Sequence, residues 1–215
     1  MAISLYFHPL ASYCWKVLIA LYENETPFEA RLVDLGNAQQ REAFFKLAPL
    51  GKFPVVRDDA TGRVVCESTI IIEYLARHQP GRVALLPAND DEALEVRAQD
   101  RFFDQQIHEP MQKHVGDKLR PEGQRDPYGV EQAHAQLEKA YGILETTLTG
   151  RTWAAGVAFS MADCAAAPAL YYGNLVHPIA ARYERVAAYL KRLEARPSFA
   201  RVLVEAQPYF AMFPG

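Results

Sequence analysis

The stretch Leu50–Leu75, LGKFPVVRDDATGRVVCESTIIIEYL, decides how this chain is read. It runs as an apolar strand around Phe53, Val55 and Val56, a polar turn, a second strand at Val64–Cys66, and an apolar helix with almost no spacer. Pro54 stands at the head of the first strand, where a missing ladder donor is tolerated, and an X-Pro bond is where a cis peptide is expected. A kink there turns the N–H and C=O of Phe53 outward, free to pair with an extended peptide in short β fashion. The helix start at Ser68 carries orphan N–H groups and a partial positive charge that suit a carboxylate. Glu67 beside it supplies the opposite sign, suited to an ammonium. Together these features fit a small peptide with a free amino-acid head. The same residues also read as an ordinary hairpin and helix, with Ser68 as a cap and Glu67 solvated.

Toward the N-terminus, Ile3–Phe7 is a strand rich in β-branched and aromatic residues, and Pro9 marks the break after it. Val17, Leu18, Leu21 and Tyr22 then recur at helical spacing, with Ser12 where an N-cap is expected. Phe28–Leu35 alternates as a second strand and Gln39–Leu47 reads as a helix. The order β-α-β-α-β-β-α predicts a mixed four-stranded sheet with helices on its faces over residues 1–80. Residues 81–91, within QPGRVALLPANDD, form a linker, and 92–215 carry no strand signal. Leu94, Ala98, Phe102 and Gln106 start a long helix reaching about Leu119, which Pro121 and Pro127 end. Leu137, Tyr141, Leu144 and Leu148 mark an amphipathic helix, and Val186, Tyr189, Leu190 and Leu193 another. Ser160 with Asp163 three residues on is a capping box, with Phe159 as its staple, opening a small-residue helix expected at the centre of an all-helical domain.

At 215 residues the chain has ample core, and its 50% hydrophobic and 23% charged content is that of a globular protein. A net charge of −3 without a Lys/Arg run argues against nucleic acid. There is no long apolar run to cross a membrane. Three widely spaced cysteines, Cys14, Cys66 and Cys164, suit a reducing compartment, so a cytoplasmic location is expected. The nucleotide-loop, zinc-protease and hydrolase-elbow motifs are absent. His108 and His114 share a predicted helix, but a spacing of six does not put two ligands on one face, so no metal is expected.

The remaining chemistry lies at Ser12-Tyr13-Cys14. A helix N-terminus favours a thiolate, and a hydroxyl donating to sulfur adds to that. A thiol-bearing peptide lying along Phe53 would bring its sulfur near this hydroxyl, so that the protein activates a borrowed nucleophile. The alternative is that Ser12 only caps the helix and Cys14 is a small buried hydrophobe.

On YFHPLASYCWKVLIALYE, LAPLGKFPVV, CESTIIIEYLA and FSMADCAAAPAL, taken in order, the chain resembles the cytosolic glutathione S-transferases over essentially its whole length. Its S-x-C-W-K-V-x-I-A-L run is most similar to bacterial, zeta- or tau-like members. The resemblance implies a thioredoxin-like α/β domain that holds glutathione and an all-α domain that supplies the wall for a hydrophobic electrophile. By the same resemblance, Phe53 and Pro54 pair with the cysteinyl part of glutathione and Lys52 approaches the glycyl carboxylate. Glu67 and Ser68 hold the γ-glutamyl head, Gln40 reaches glutathione before the second helix, and Ser12 hydrogen-bonds the thiolate. Serine-type members usually place their serine one residue earlier, where this chain has Ala11, so Tyr13, Cys14 and Tyr6 stand as alternatives. The doubled serine of the zeta class is absent, and maleylacetoacetate isomerisation is not carried over. The expected reaction is attack of the glutathione thiolate on an electrophile. Competing readings are a thiol-disulfide oxidoreductase using Cys14, an isomerase, or a binding protein that has lost the chemistry. Gln106, Met111 and Tyr171 are expected to face the co-substrate, and a homodimer is expected from the family.

Overall fold

The computed structural model describes residues 3–214. Strand β1 (Ile3–Phe7) leads into α1 (Ser12–Glu23), β2 (Phe28–Leu32), α2 (Ala38–Leu47), β3 (Val55–Asp58), β4 (Arg63–Cys66) and α3 (Ser68–His78). The sheet order is β2-β1-β3-β4, with β1 and β2 parallel and the other pairs antiparallel. This is the mixed sheet that the N-terminal pattern predicts. Strand β2 stops at Leu32 rather than Leu35, because Asp34 closes a local turn by accepting from the Gly36 N–H (2.8 Å).

The rest of the described chain is helical. Helix α4 (Asp90–Phe102) continues through a π-helical stretch, Phe103–His108, into α5 (Glu109–Lys118). After a short turn come α6 (Pro127–Thr147), α7 (Met161–Val176), α8 (Glu184–Glu194) and α9 (Pro197–Ala206). The long helix predicted to Leu119 is therefore present, with an over-wide turn inside it, whereas α9 had no counterpart in the sequence pattern. Among the described residues no helix is long and apolar enough to cross a membrane.

Helix α1 is buried nearly all round, Cys14 through Leu21 being buried, because it packs on α3 at one side and on α7 and α9 at the other. Helix α7 is the centre of the helical half. Ala162, Ala165, Ala166, Ala167 and Ala169 are fully buried, their small side chains letting neighbouring helices approach closely. At its start the fully buried Asp163 accepts from the Ser160 N–H (2.8 Å), the Ala154 N–H (2.8 Å) and the Tyr189 hydroxyl (2.6 Å). The acidic half of the capping box thus also anchors the preceding loop and α8. Phe159 packs edge-on against Trp153, with the Arg196 guanidinium over its ring.

Candidate active site

A cleft of about 630 Å³ opens between the sheet half and the helical half. One wall comes from the loop before β3 (Pro49, Leu50, Lys52, Phe53, Pro54) and the β4–α3 junction (Cys66 to Ile70). The opposite wall comes from α4 and its π-helical continuation, and Tyr13 of α1 also lines it. Gly51, at φ 63, makes the turn that delivers Lys52 to the rim; a Cβ there would run into the Phe45 ring.

The Phe53–Pro54 peptide is cis, and Phe53 lies just outside β3. Among the described residues nothing hydrogen-bonds the Phe53 backbone. Glu67, not Ser68, occupies the cap position of α3, at φ 67 and ψ 119. That left-handed conformation in a non-glycine residue costs on the order of 1–3 kcal/mol and persists only where the surroundings hold it. The first α3 N–H groups are left without internal acceptors, since the ladder begins with Ile71 N–H to Glu67 C=O at 2.8 Å. The Glu67 carboxylate and the buried Ser68 hydroxyl have no partner among the described residues. An unpaired carboxylate, a hydroxyl and a bare helix tip make a receptor for both charges of an amino-acid head.

Behind this tip lies a buried charge cluster that sequence reading missed. The Lys16 ammonium lies 2.5 Å from Asp100 Oδ1 and 2.9 Å from Asp104 Oδ2. It also donates to Thr69 Oγ1 (2.8 Å), whose hydroxyl donates to Asp100 Oδ2 (2.8 Å). Arg101 caps both carboxylates from the cleft side. Burial, and then the neighbouring Asp100, hold the Asp104 carboxyl above its usual range despite Lys16. Asp104 lines the cleft, and its Oδ1 is buried without a hydrogen-bond partner among the described residues. The only sequence signal for this cluster is a lysine inside an otherwise apolar helix and two aspartates four apart, a pattern that also fits a solvated face.

The hydroxyls and thiols of the first helix separate clearly. Ser12 is 2% exposed and does not line the cleft. It is not the N-cap either: that position is Ala11, which makes no side-chain cap bond. Its Oγ lies 2.5 Å from His108 Nε2 and accepts from Gln112 Nε2 at 3.0 Å. Cys14 is fully buried, and burial pushes its thiol up to about 12, so it stays protonated. Tyr6 packs under α2 against the cluster of Val33, Phe44, Ala48 and Val55. Tyr13 is the member of the group that lines the cleft, and its hydroxyl has no partner among the described residues. Burial, then Asp104 and Glu109, push its phenol well above the usual range, so it remains a neutral donor.

Of the remaining predicted residues, Lys52, Phe53, Pro54, Glu67 and Ser68 all line the cleft. Gln40 does not: its Oε1 accepts from the Asp34 N–H (2.9 Å) and closes the β2–α2 loop. Met111 is buried in the core, Tyr171 packs tilted or edge-on among Trp15, Phe199 and Phe210, and Gln106 is exposed beside Gln136. The helical wall consists instead of Arg97, Asp100, Arg101, Asp104, Gln105 and Glu109, all polar. Among the described residues no group of three or more His, Cys, Asp or Glu is arranged to hold a metal ion.

Both halves of the chain are similar to known proteins. A family model for "Glutathione S-transferase, N-terminal domain" matches residues 5–83, and one for "Glutathione S-transferase, C-terminal domain" matches 127–192. The chain is 28% identical over 205 residues to glutathione S-transferase hmp2 of Hypomyces subiculosus, covering 89% of this chain and 94% of that one. It is 27% identical over 213 residues to the disulfide-bond oxidoreductase YfcG of Escherichia coli, covering 95% and 96%. Among solved structures, a glutathione S-transferase from Methylobacillus flagellatus with glutathione bound superposes with a TM-score of 0.83 at 25% identity, covering 93% and 98%.

Proposed function

The chain belongs to the glutathione S-transferase family, and on that premise we propose that it is a glutathione transferase in which Tyr13 supplies the hydroxyl that stabilises the thiolate. The observation that carries this reading is that an unpartnered Tyr13 hydroxyl, an unbonded Phe53 backbone and the Glu67–Ser68 helix tip line one cleft. Glutathione lies with its γ-glutamyl carboxylate at the α3 N-terminus and its ammonium at the Glu67 carboxylate. Its cysteinyl amide pairs with Phe53, and its glycyl carboxylate reaches Lys52. The role expected of Ser12 passes to its neighbour, because the Ser12 hydroxyl is engaged in the interior.

In this reading the Tyr13 phenol, held protonated, donates to sulfur and lowers the thiol pKa. The thiolate attacks an electrophilic carbon, the new S–C bond forms as the leaving group departs with the electron pair, and the cleft contributes proximity. The hydrophobic electrophile of the sequence reading finds apolar neighbours on the sheet side, at Pro49, Leu50 and Ile70, and a polar surface opposite. The same thiolate would attack a disulfide sulfur, and likeness to a relative named a disulfide-bond oxidoreductase supports keeping that second reaction in view. The buried, protonated Cys14 gives no support to a reaction through its own thiol. Exposed Val64, Ile70 and Leu94 on β4, α3 and α4 support a homodimer, and three free cysteines support a cytoplasmic location. The deciding experiment is turnover of a carbon electrophile and of a glutathione mixed disulfide, each with wild-type and Tyr13→Phe protein. Loss of both activities in the variant supports the reading, and full activity in the variant sinks it.

A further inference from the structure

We infer that His108 is a positioning residue: anchored through Ser12, its ring holds the Tyr13 phenol so that the hydroxyl faces the cleft. The inference deepens the proposed function and rests on Tyr13 being the thiolate donor.

The His108 and Tyr13 rings lie face to face, with centroids 3.8 Å apart and planes 4° from parallel. His108 is 1% exposed, whereas Tyr13 is only partly buried, so the histidine is the fixed plate and the tyrosine the arm laid on it. The fixed plate has its own tether. Gln112 donates to Ser12 Oγ, and the same oxygen shares a hydrogen bond with His108 Nε2. The ring is tied to α1 through Nε2. It stays neutral, since burial and then Lys16 hold it at about 3.

His108 and Gln112 stand four apart and both converge on Ser12. His108 is the last residue of the π-helical stretch, whose extra residue per turn rotates the side chains that follow. The stretch thus sets which face of α5 meets α1. Two loose ends close on this account: a buried serine beside the position where the family usually keeps one, and an irregular turn inside a long helix. Neither His108 nor Ser12 touches the cleft, so neither is a catalytic residue.

Without the plate, the Tyr13 arm is released among its three staggered rotamers. That statistical loss corresponds to up to roughly threefold less productive donor, the ring stack being what holds the single rotamer in the intact protein. The test is an ultraviolet titration of the bound glutathione thiolate, with KM and kcat measured alongside, in His108→Ala, His108→Phe, Ser12→Ala and Tyr13→Phe proteins. His108→Ala is expected to reduce the thiolate fraction at neutral pH by up to roughly threefold and to lower kcat, with affinity for glutathione above the thiol midpoint falling by the same factor. His108→Phe keeps a ring to stack on and is expected to restore most of the loss, while Ser12→Ala falls between. On a Tyr13→Phe background His108→Ala is expected to add nothing, because the donor is already gone. A purely structural role predicts the opposite pattern: full additivity with Tyr13→Phe, no rescue by phenylalanine, and a loss that tracks thermal stability. That result overturns the inference, as does a folded His108→Ala protein that titrates like wild type. Should the alanine variant not fold, Ser12→Ala, which loses only the tether, still has to raise the thiol pKa; an unshifted titration there overturns the inference as well. Absence of any thiolate band in the wild-type protein removes the functional reading itself, an outcome seen before any substitution is compared.

Discussion

Tyr13→Phe removes one oxygen from the cleft and leaves the ring stack on His108 in place. The lost hydroxyl has no partner among the described residues, so its removal opens no unsatisfied group in the protein. What is lost is a hydrogen bond to an anion, worth about 1.5–3 kcal/mol. Converted at about 1.4 kcal/mol per pKa unit, that raises the pKa of the bound thiol by about one to two units. The phenol itself does not titrate below the thiol, because burial and the carboxylates of Asp104 and Glu109 keep it protonated. The titration therefore reports a single group. Thiolate absorbance of the glutathione complex, followed from acid to alkaline pH, should show the midpoint moving upward. Affinity measured above both midpoints falls by the full value of the lost bond, and affinity measured well below them changes little. A variant whose midpoint coincides with that of wild type refutes the assignment of Tyr13 as donor.

Three other outcomes follow from the same geometry. Glu67→Ala and Ser68→Ala should each weaken glutathione binding by about 1–3 kcal/mol in calorimetry, and unchanged affinity in both would remove the proposed head-group site. Asp163→Ala should leave the Ala154 and Ser160 N–H groups and the Tyr189 hydroxyl without their acceptor and cost about 3 kcal/mol or more in denaturant unfolding. A loss below about 1 kcal/mol would mean that the loop and α8 do not depend on it. The third concerns acid. His108 is held near 3 in the folded chain, below its unfolded value of 6.5, so the unfolded state takes up the proton first. Its contribution is complete above pH 6.5 and declines as pH falls from there toward 3, by up to about 1.4 kcal/mol per pH unit. Unfolding measured between neutrality and mild acid should flatten in His108→Phe, and an unchanged slope would contradict the buried neutral ring.

Much of the fold was legible because the signals are local. Alternation and turn chemistry mark β1, β3 and β4, and the Ser160–Asp163 spacing marks the start of α7. The sheet-side wall of the cleft was legible for the same reason: Phe53-Pro54 and Glu67-Ser68 are dipeptides whose backbone consequences can be stated without a fold. The tip of α1 was not. Ser12, Tyr13 and Cys14 are consecutive, so a rotation of about 100° per residue sends them to different surroundings. Which one faces the cleft depends on where α5 lies. That in turn depends on the π-helical stretch Phe103–His108, which leaves no periodic trace. The same dependence hid His108 and the Lys16–Asp100–Asp104 cluster, whose members lie 84 or more residues apart except for the two aspartates. Gln106, Met111 and Tyr171 failed as wall residues because helical spacing shows that a face exists and not what it meets.

The most direct test of the whole account is a crystal structure of this protein with glutathione bound. The account predicts the sulfur within hydrogen-bond reach of the Tyr13 hydroxyl, the γ-glutamyl carboxylate on the first N–H groups of α3, and Ser12 still turned toward His108. Sulfur lying against Ser12 or Cys14, or glutathione seated away from Glu67 and Ser68, would contradict it.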